Sequence, residues 1–163
     1  MDDILFKTDN YIFSYRVGGI LIYNHKVLLQ RLRGEDGYAV IGGHVALGET
    51  TAETIVREFK EEIGADIKVD RLLMVGENFF PWGNRSCHQI NLYYLVSLIN
   101  NKQISLDGCF MAVDELGNKR MNIEMCWVPL NEIPNITIYP IDVKARIMNI
   151  PNEIVHFVYK ENA

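Results

Sequence analysis

The chain has 163 residues, a formal net charge of −5 and a sequence pI of about 5.4. This length suits a single domain over residues 1–163 with a sizeable buried core, so folding requires neither a disulfide framework nor a structural metal. The acidic balance argues against a nucleic-acid polymer as partner, which calls for basic patches, but it leaves small phosphorylated ligands open because bound cations can supply positive charge locally.

The first elements in chain order are predicted to form a β-hairpin. Residues 13–23 are rich in β-branched and aromatic residues and indicate a strand, and residues 26–32 indicate the returning strand. Asn24-His25 is the predicted turn between them. A polar loop over residues 33–37 follows, and a short apolar piece over residues 38–41 then leads to a pair of glycines.

The strongest helix prediction begins at Thr50 or Thr51, either of which can cap the helix N-terminus. Gly64 is placed to end the helix. Between these limits the apolar residues recur at helical spacing and form one stripe, which consists of Ala52, Ile55, Phe59 and Ile63.

The second half of the chain alternates predicted strands with one further helix, which together with the first half indicates a mixed α/β fold without a domain boundary. The predicted elements are one or two strands in 66–80, a loop at 81–84, a strand at 88–98, a hairpin or excursion in 100–122, a strand at 124–130, a helix at 140–149 and a last strand at 153–159.

The N-terminus, MDDILFKTDN, is acidic and has no long apolar segment, so we expect neither a signal peptide nor a membrane-spanning helix. Three cysteines, Cys87, Cys109 and Cys126, lie far apart and form no C-x-x-C pair. Their odd number and spacing predict reduced thiols in a cytoplasmic protein, each a small apolar core residue.

Three carboxylates on the predicted helix are the first sign of chemistry. Glu58, Glu61 and Glu62 have i, i+3 and i+4 spacing, so they project from one helix face, where like charges repel. A divalent cation would turn that repulsion into attraction, since Mg²⁺ prefers carboxylate oxygens and lets substrate phosphates complete its shell. For this run alone, a solvated acidic face is the simpler alternative.

The residues that precede and flank these carboxylates fit a metal site. Gly42 and Gly43 permit close approach of a ligand, and a carbonyl there could supply another hard oxygen. Glu49 precedes Arg57 by eight residues. An ion pair between them would tie the loop to the helix and hold the carboxylates in place.

The stretch GHVALGETTAETIVREFKEEIGA, residues 43–65, resembles the Nudix signature, G-x5-E-x7-R-E-U-x-E-E-x-G-U, in which U is a bulky apolar residue. The two U positions hold Phe59 and Ala65, which are both apolar. The segment WVPLNEI at 127–133 is similar to W-V-P-L-D-E-L in family members, whereas Ile41 replaces the proline that often precedes the two glycines. The fixed positions of the signature are all matched, by Gly43, Glu49, Arg57, Glu58, Glu61, Glu62 and Gly64.

The resemblance implies an α/β/α sandwich with a mixed sheet and hydrolysis of a nucleoside diphosphate linked to another group, assisted by Mg²⁺ or Mn²⁺. Carried over by position, Glu58 and Glu62 would be the main metal ligands, with Glu61 a third and the carbonyl of Gly42 a fourth. The resemblance gives the role of orienting these ligands to Arg57 and Glu49. The general base is open among four glutamates: Glu58, Glu61, Glu115 and Glu124.

The sequence specifies the type of reaction more closely than it specifies the substrate. Pro81 lies sixteen residues after the box, as in family members that act on ADP-ribose, but sugar nucleotides and nucleoside triphosphates stay open. Aromatic residues near the site could stack on a base or pack in the core, namely Phe79, Phe80, Trp82, His88, Tyr93 and Tyr94.

A non-catalytic nucleotide-binding regulatory module is the alternative function. Such modules usually lose glutamates of the box, and this chain keeps all of them. A homodimer that uses the apolar residues Ile4, Leu5 and Phe6 is a further hypothesis. No membrane partner is expected.

Overall fold

The computed structural model describes residues 1–112 and 122–161. The strands in these ranges are β1 (Leu5–Lys7), β2 (Tyr11–Tyr23), β3 (Lys26–Leu32), β4 (Gly37–Tyr38), β5 (Ile41–His44), β6 (Ile67–Trp82), β7 (Arg85–Leu98), β8 (Cys109–Met111), β9 (Ile123–Pro129), β10 (Thr137–Ile138) and β11 (Val155–Lys160). The helices are α1 (Thr51–Ile63), α2 (Ile141–Met148) and a 3-10 helix (Leu130–Asn135).

Nine of these strands form one mixed sheet. Its main path is β11-β6-β7-β2-β3-β9-β8, with β1 and β5 also paired to β2. The pairs β2–β7 and β6–β11 are parallel, and the other pairs in this sheet are antiparallel. The short strands β4 and β10 form a separate parallel pair. The predicted mixed α/β class is confirmed.

Local sequence explains why α1 begins and ends where it does. Thr50 accepts a hydrogen bond from the backbone N–H of Glu53, whose side chain accepts from the backbone N–H of Thr50, so the predicted N-terminal cap forms a complete capping box. Gly64 ends the helix with φ of 70°, in the left-handed region that glycine adopts without a steric penalty.

The two α-helices pack on two separate hydrophobic clusters. Three residues of the predicted apolar stripe of α1, Ile55, Phe59 and Ile63, are buried in one cluster, and Ala52 is partly exposed. The α2 residues Val143 and Ile147 belong to the other. Burial of a side chain such as that of Phe59 contributes about 1.5–3 kcal/mol to folding. Gly19 leaves room for the ring, because a Cβ at this position would lie 2.5 Å from it.

Several predicted elements are present, with changed limits. The turn at Asn24 and His25 is confirmed, and both residues have positive φ. The expected loop at 81–84 is wrong at its start, because β6 runs through Pro81 and Trp82 as a single bulged strand and turns only after them. Four short strands were not predicted, since strands of two to four residues show little periodicity in sequence; they are β1, β4, β5 and β10.

The prediction that every cysteine is a reduced thiol is wrong. Cys109 and Cys126 form a disulfide, while Cys87 is free and buried as predicted. The two bonded cysteines lie opposite each other on antiparallel β8 and β9. Cys109 is also exposed rather than a core residue. Sequence spacing alone does not reveal that pairing, because the register of β8 against β9 creates it.

No helix in the described part of the chain is long and apolar enough to span a membrane. The N-terminal residues that the dimer hypothesis invoked form part of the fold: Ile4 packs against the α1 cluster, and Leu5 and Phe6 lie in β1 beside β2. Phe6 is nevertheless exposed.

Candidate active site

The carboxylates predicted to bind metal lie on α1 at different depths. Glu58 and Glu62 are buried, with 6% and 9% of their surface exposed, whereas the side chain of Glu61 is 44% exposed. Carboxylates are seldom buried to this degree unless they are paired or coordinate a cation. This face of α1 therefore has the burial expected of a functional site.

Arg57 connects these carboxylates. Its Nη1 donates to Glu58 Oε1 at 2.9 Å and to Glu61 Oε2 at 3.1 Å. Its Nη2 donates to the backbone carbonyl of His44 at 3.5 Å. A guanidinium presents its donors in a fixed plane, so these contacts fix the directions of both carboxylates relative to β5.

Glu49 holds Arg57 from the loop before the helix, as the sequence predicted. Arg57 Nε lies 2.9 Å from Glu49 Oε1, and Nη2 lies 3.1 Å from Oε2. Thr54 Oγ1 also donates to Glu49 Oε2, at 2.8 Å. The hydrogen bond from Arg57 lowers the pKa of Glu49, so this carboxylate stays ionised near neutral pH.

The two glycines of β5 allow the strand to pass close to its neighbours. A Cβ on Gly43 would lie 2.2 Å from the carboxyl carbon of Glu58, and a Cβ on Gly42 would lie 2.0 Å from the carbonyl oxygen of Val17. Neither position admits a side chain unless the surroundings move. The backbone of β5 is thus brought directly against the carboxylate of Glu58.

A cavity of about 480 Å³ lies beside this strand, and Gly42 is part of its lining. It lies on the side of the sheet that carries α2, because the lining residues Val40, Tyr93 and Tyr159 pack with the α2 cluster. Arg16 and Glu161 contribute charged groups to the lining, and Phe80 and Tyr139 contribute aromatic rings. Its size is that of a small-ligand site.

Buried amides line the floor of this cavity. Asn78, Gln89 and Asn91 are buried on the central strands β6 and β7. Asn78 Nδ2 donates to Gln89 Oε1 at 3.4 Å, and Gln89 Nε2 donates to Ser14 Oγ at 3.4 Å. Burial raises the pKa of Tyr93, and the amides of Asn78 and Asn91 partly offset that rise. The phenol therefore stays neutral at pH 7.

Sequence reasoning missed these amides, although a signal was present. On the same strand faces as these amides the sequence also places Phe80, Cys87 and Tyr93, and an uncharged polar residue buried among them requires a partner. The sequence could indicate their burial, but it could not show that β6 and β7 place them side by side.

The aromatic candidates from the sequence divide between the two faces of the sheet. Phe80 and Tyr93 line the cavity. Phe79, which follows Asn78 and precedes Phe80 on β6, is stacked on His88 with ring centroids 4.4 Å apart and is absent from the lining. Tyr94 shares a hydrogen bond with Thr51 at 2.6 Å, on the α1 side.

Of the two candidates for a general base outside the signature, only Glu124 lies within the described residues. Glu124 forms an ion pair with Arg31 at 2.6 Å and lies beside the disulfide of Cys109 and Cys126. Arg31 also lies over the ring of Tyr38. Glu115 lies outside the described residues.

The sequence is similar to that of a known protein family over most of the chain. The family model for the NUDIX domain matches residues 13–146. The ADP-ribose pyrophosphatase of Methanocaldococcus jannaschii is 34% identical over 89 residues, which are 53% of this chain and 52% of that protein. The chain thus spans about half the length of this curated relative.

Solved structures with the same fold include a NUDIX hydrolase from Nitrosomonas europaea, with a TM-score of 0.62 and 18% identity over 96% of this chain and 82% of that one. A MutT protein from Bacillus halodurans has a TM-score of 0.59 and 15% identity, covering 90% of each chain. An ADP-ribose pyrophosphatase from Streptococcus suis has a TM-score of 0.56 and 13% identity over 88% of this chain and 98% of its own. At these identities the likeness concerns the fold alone.

Proposed function

Because the chain belongs to the Nudix family, we propose that it is a metal-dependent pyrophosphohydrolase that cleaves the diphosphate linkage of a nucleoside diphosphate derivative. The observation that carries this proposal is a pair of buried carboxylates, Glu58 and Glu62, on a helix face that Arg57 and Glu49 hold in a fixed orientation. The proposal takes residues 1–163 as one Nudix hydrolase domain.

The residues present fit a hard divalent cation, Mg²⁺ or Mn²⁺. Glu58 and Glu62 would hold it through their carboxylates, with the carbonyl of Gly42 as a further oxygen ligand. The absence of a side chain on Gly43 supports this assignment, because a Cβ there would fill the space beside the Glu58 carboxylate. When bound, the cation neutralises phosphate charge and makes a coordinated water more acidic.

The side chains around the cation would position it and accept a proton. Arg57 holds Glu58 and Glu61 through one nitrogen, Nη1, and Glu49 holds Arg57 from the other side. Glu61 is the base that we favour, since Arg57 donates to its Oε2 while 44% of the side chain is exposed to solvent. Glu61 Oε1 would then accept the proton of the attacking water.

An ADP-ribose-like compound is the substrate class that we favour. Pro81 has the spacing from the box that resembles ADP-ribose-specific members, and a relative with 34% identity over part of its length is an ADP-ribose pyrophosphatase. A cavity of about 480 Å³ beside Gly42 has room for a nucleoside-sized group. Sugar nucleotides and nucleoside triphosphates share the linkage and belong in the same test.

The test is release of phosphate-containing products from ADP-ribose, sugar nucleotides, dinucleoside polyphosphates and nucleoside triphosphates, with Mg²⁺, with Mn²⁺ and with a chelator. Wild-type protein is compared with Glu62→Gln, which keeps the size of the side chain and removes its charge. We expect metal-dependent cleavage of ADP-ribose that the variant loses by roughly a hundredfold or more. Tight binding of a nucleotide without cleavage would instead assign a regulatory binding module.

A further inference from the structure

Two buried oxygen atoms in the cavity floor have no hydrogen-bond partner within the described ranges. They are Asn78 Oδ1 and Asn91 Oδ1, on residues that are 2% and 8% exposed. Both residues belong to the cavity lining. A buried acceptor without a partner destabilises a fold, so its retention in a cavity wall points to a group that supplies the missing hydrogen bond.

Strand register places these amides in a continuous polar strip. Asn91 on β7 lies opposite Arg16 on β2. In the adjacent row, Gln89 on β7 lies between Ser14 on β2 and Asn78 on β6. Asn78 in turn pairs with Tyr159 on β11. The strip therefore runs across four strands of the sheet and presents uncharged groups along its centre.

The two ends of the strip differ in charge. Arg16 lies at the end beside β5, where its strand neighbour is His44 and where Gly42 joins the lining. Tyr159, Glu161 and Phe80 line the opposite end. Negative phosphates are favoured near Arg16, and an uncharged planar group is favoured between the distal rings.

We propose that Asn78 and Asn91 determine specificity for the uncharged half of the substrate by accepting hydrogen bonds from its neutral donors. The inference rests on the proposed function, in which the diphosphate lies beside Gly42. A nucleoside supplies neutral donors of two kinds, the amino group of a base and the hydroxyl groups of a sugar. A ligand that presents only acceptors leaves both amide oxygens without partners, and the site discriminates against it.

The experiment uses three compounds that differ by single donor groups. They are ADP-ribose, its analogue with a purine that lacks the 6-amino group, and its analogue with a 2′-deoxyadenosine half. Both kcat/KM with Mg²⁺ and Kd by calorimetry with a chelator are measured, so the binding result does not depend on turnover. The proteins are the wild type, Asn78→Leu, Asn91→Leu and a matched control, Asn135→Leu, whose side chain is exposed and outside the cavity.

We expect the wild type and Asn135→Leu to favour ADP-ribose over at least one analogue by roughly tenfold to a hundredfold, the range for an unpaired buried polar group. The analogue that is rejected identifies the base or the sugar as the donor. At least one cavity variant should lose this preference while it still unfolds in a single cooperative transition, because leucine offers no acceptor to the donor of the ligand.

Equal kcat/KM and Kd of the wild type for all three compounds would overturn the inference. It would also be overturned if both cavity variants retained the wild-type preference. If no protein hydrolyses any of the compounds, while the Kd values of the wild type and Asn135→Leu show a preference that a cavity variant has lost, the proposed function is contradicted and this assignment is supported.

Discussion

Arg57 Nε lies 2.9 Å from Glu49 Oε1, and this contact joins the loop after β5 to the helix that carries the carboxylates. The same guanidinium contacts Glu58 and Glu61. A single side chain thereby orders two of the groups that we assign to metal binding and proton transfer. The arrangement predicts that Arg57 acts on chemistry through its neighbours.

Replacement of Arg57 by methionine should weaken metal binding without abolishing the fold. Removing the guanidinium leaves Glu49 and Glu58 without its hydrogen bonds, and residues that orient ligands typically contribute ten- to hundredfold to metal affinity. We expect the Mg²⁺ concentration for half-maximal hydrolysis to rise by roughly that factor. Lys60→Met is the control, since Lys60 pairs with Asp66 on the exposed side of α1. Equal Mg²⁺ requirements in both variants would contradict the role given to Arg57.

Gly43→Ala should reduce activity more than stability. Its new methyl group would lie 2.2 Å from the carboxyl carbon of Glu58, so the carboxylate must move. Gly76→Ala provides the comparison, because its methyl group would meet the ring of Phe157 at 2.4 Å instead. We expect that variant to lose about 1–3 kcal/mol of stability. Wild-type kcat/KM of Gly43→Ala at saturating Mg²⁺ would contradict the proposed contact between β5 and the catalytic carboxylate.

The Glu49–Arg57 pair predicts a pH dependence of stability. Arg57 lowers the pKa of Glu49 below its ordinary value of 4.5, so below that pH the unfolded state binds more protons than the folded state does. The stabilisation is therefore present above pH 4.5 and is lost as pH falls through the folded pKa. The difference in Tm between wild type and Glu49→Gln should shrink as pH decreases from 6 to 3. A constant difference over this range would refute the assignment.

The disulfide between Cys109 and Cys126 predicts the number of reactive thiols. Without reductant, denatured protein should react with Ellman's reagent at one thiol, that of Cys87, and after reduction at all three cysteines. The bond closes a loop with a sequence separation of 17, for which a stabilisation of about 3 kcal/mol is typical. Reduction should accordingly lower the Tm. Three reactive thiols in carefully unreduced protein would contradict the pairing.

Local signals in the sequence predicted the elements that carry the chemistry. The capping residue Thr50, the apolar stripe and Gly64 fixed the limits of α1, because each acts within a few residues of itself. The ion pair of Glu49 with Arg57 followed from the same short stretch. The metal and catalytic roles of these residues stay predictions.

The features that the sequence did not predict depend on which residues pair between strands that lie far apart in the chain. The disulfide depends on how β8 pairs with β9, and the amide strip depends on how β2, β7, β6 and β11 align. A one-residue slip would turn Asn78 to the opposite face of the sheet. Such relationships join residues far apart in the chain, so composition and periodicity do not contain them.

The most direct test of the central claim is the rate of ADP-ribose hydrolysis as a function of Mg²⁺ concentration in wild-type protein and in Glu62→Gln. If the buried carboxylates of α1 hold the catalytic cation, the wild type should be inactive in chelator and saturate with Mg²⁺. The variant should then need far more metal or stay inactive throughout. Hydrolysis that proceeds in chelator, or a Glu62→Gln curve that overlays the wild-type curve, would contradict the account.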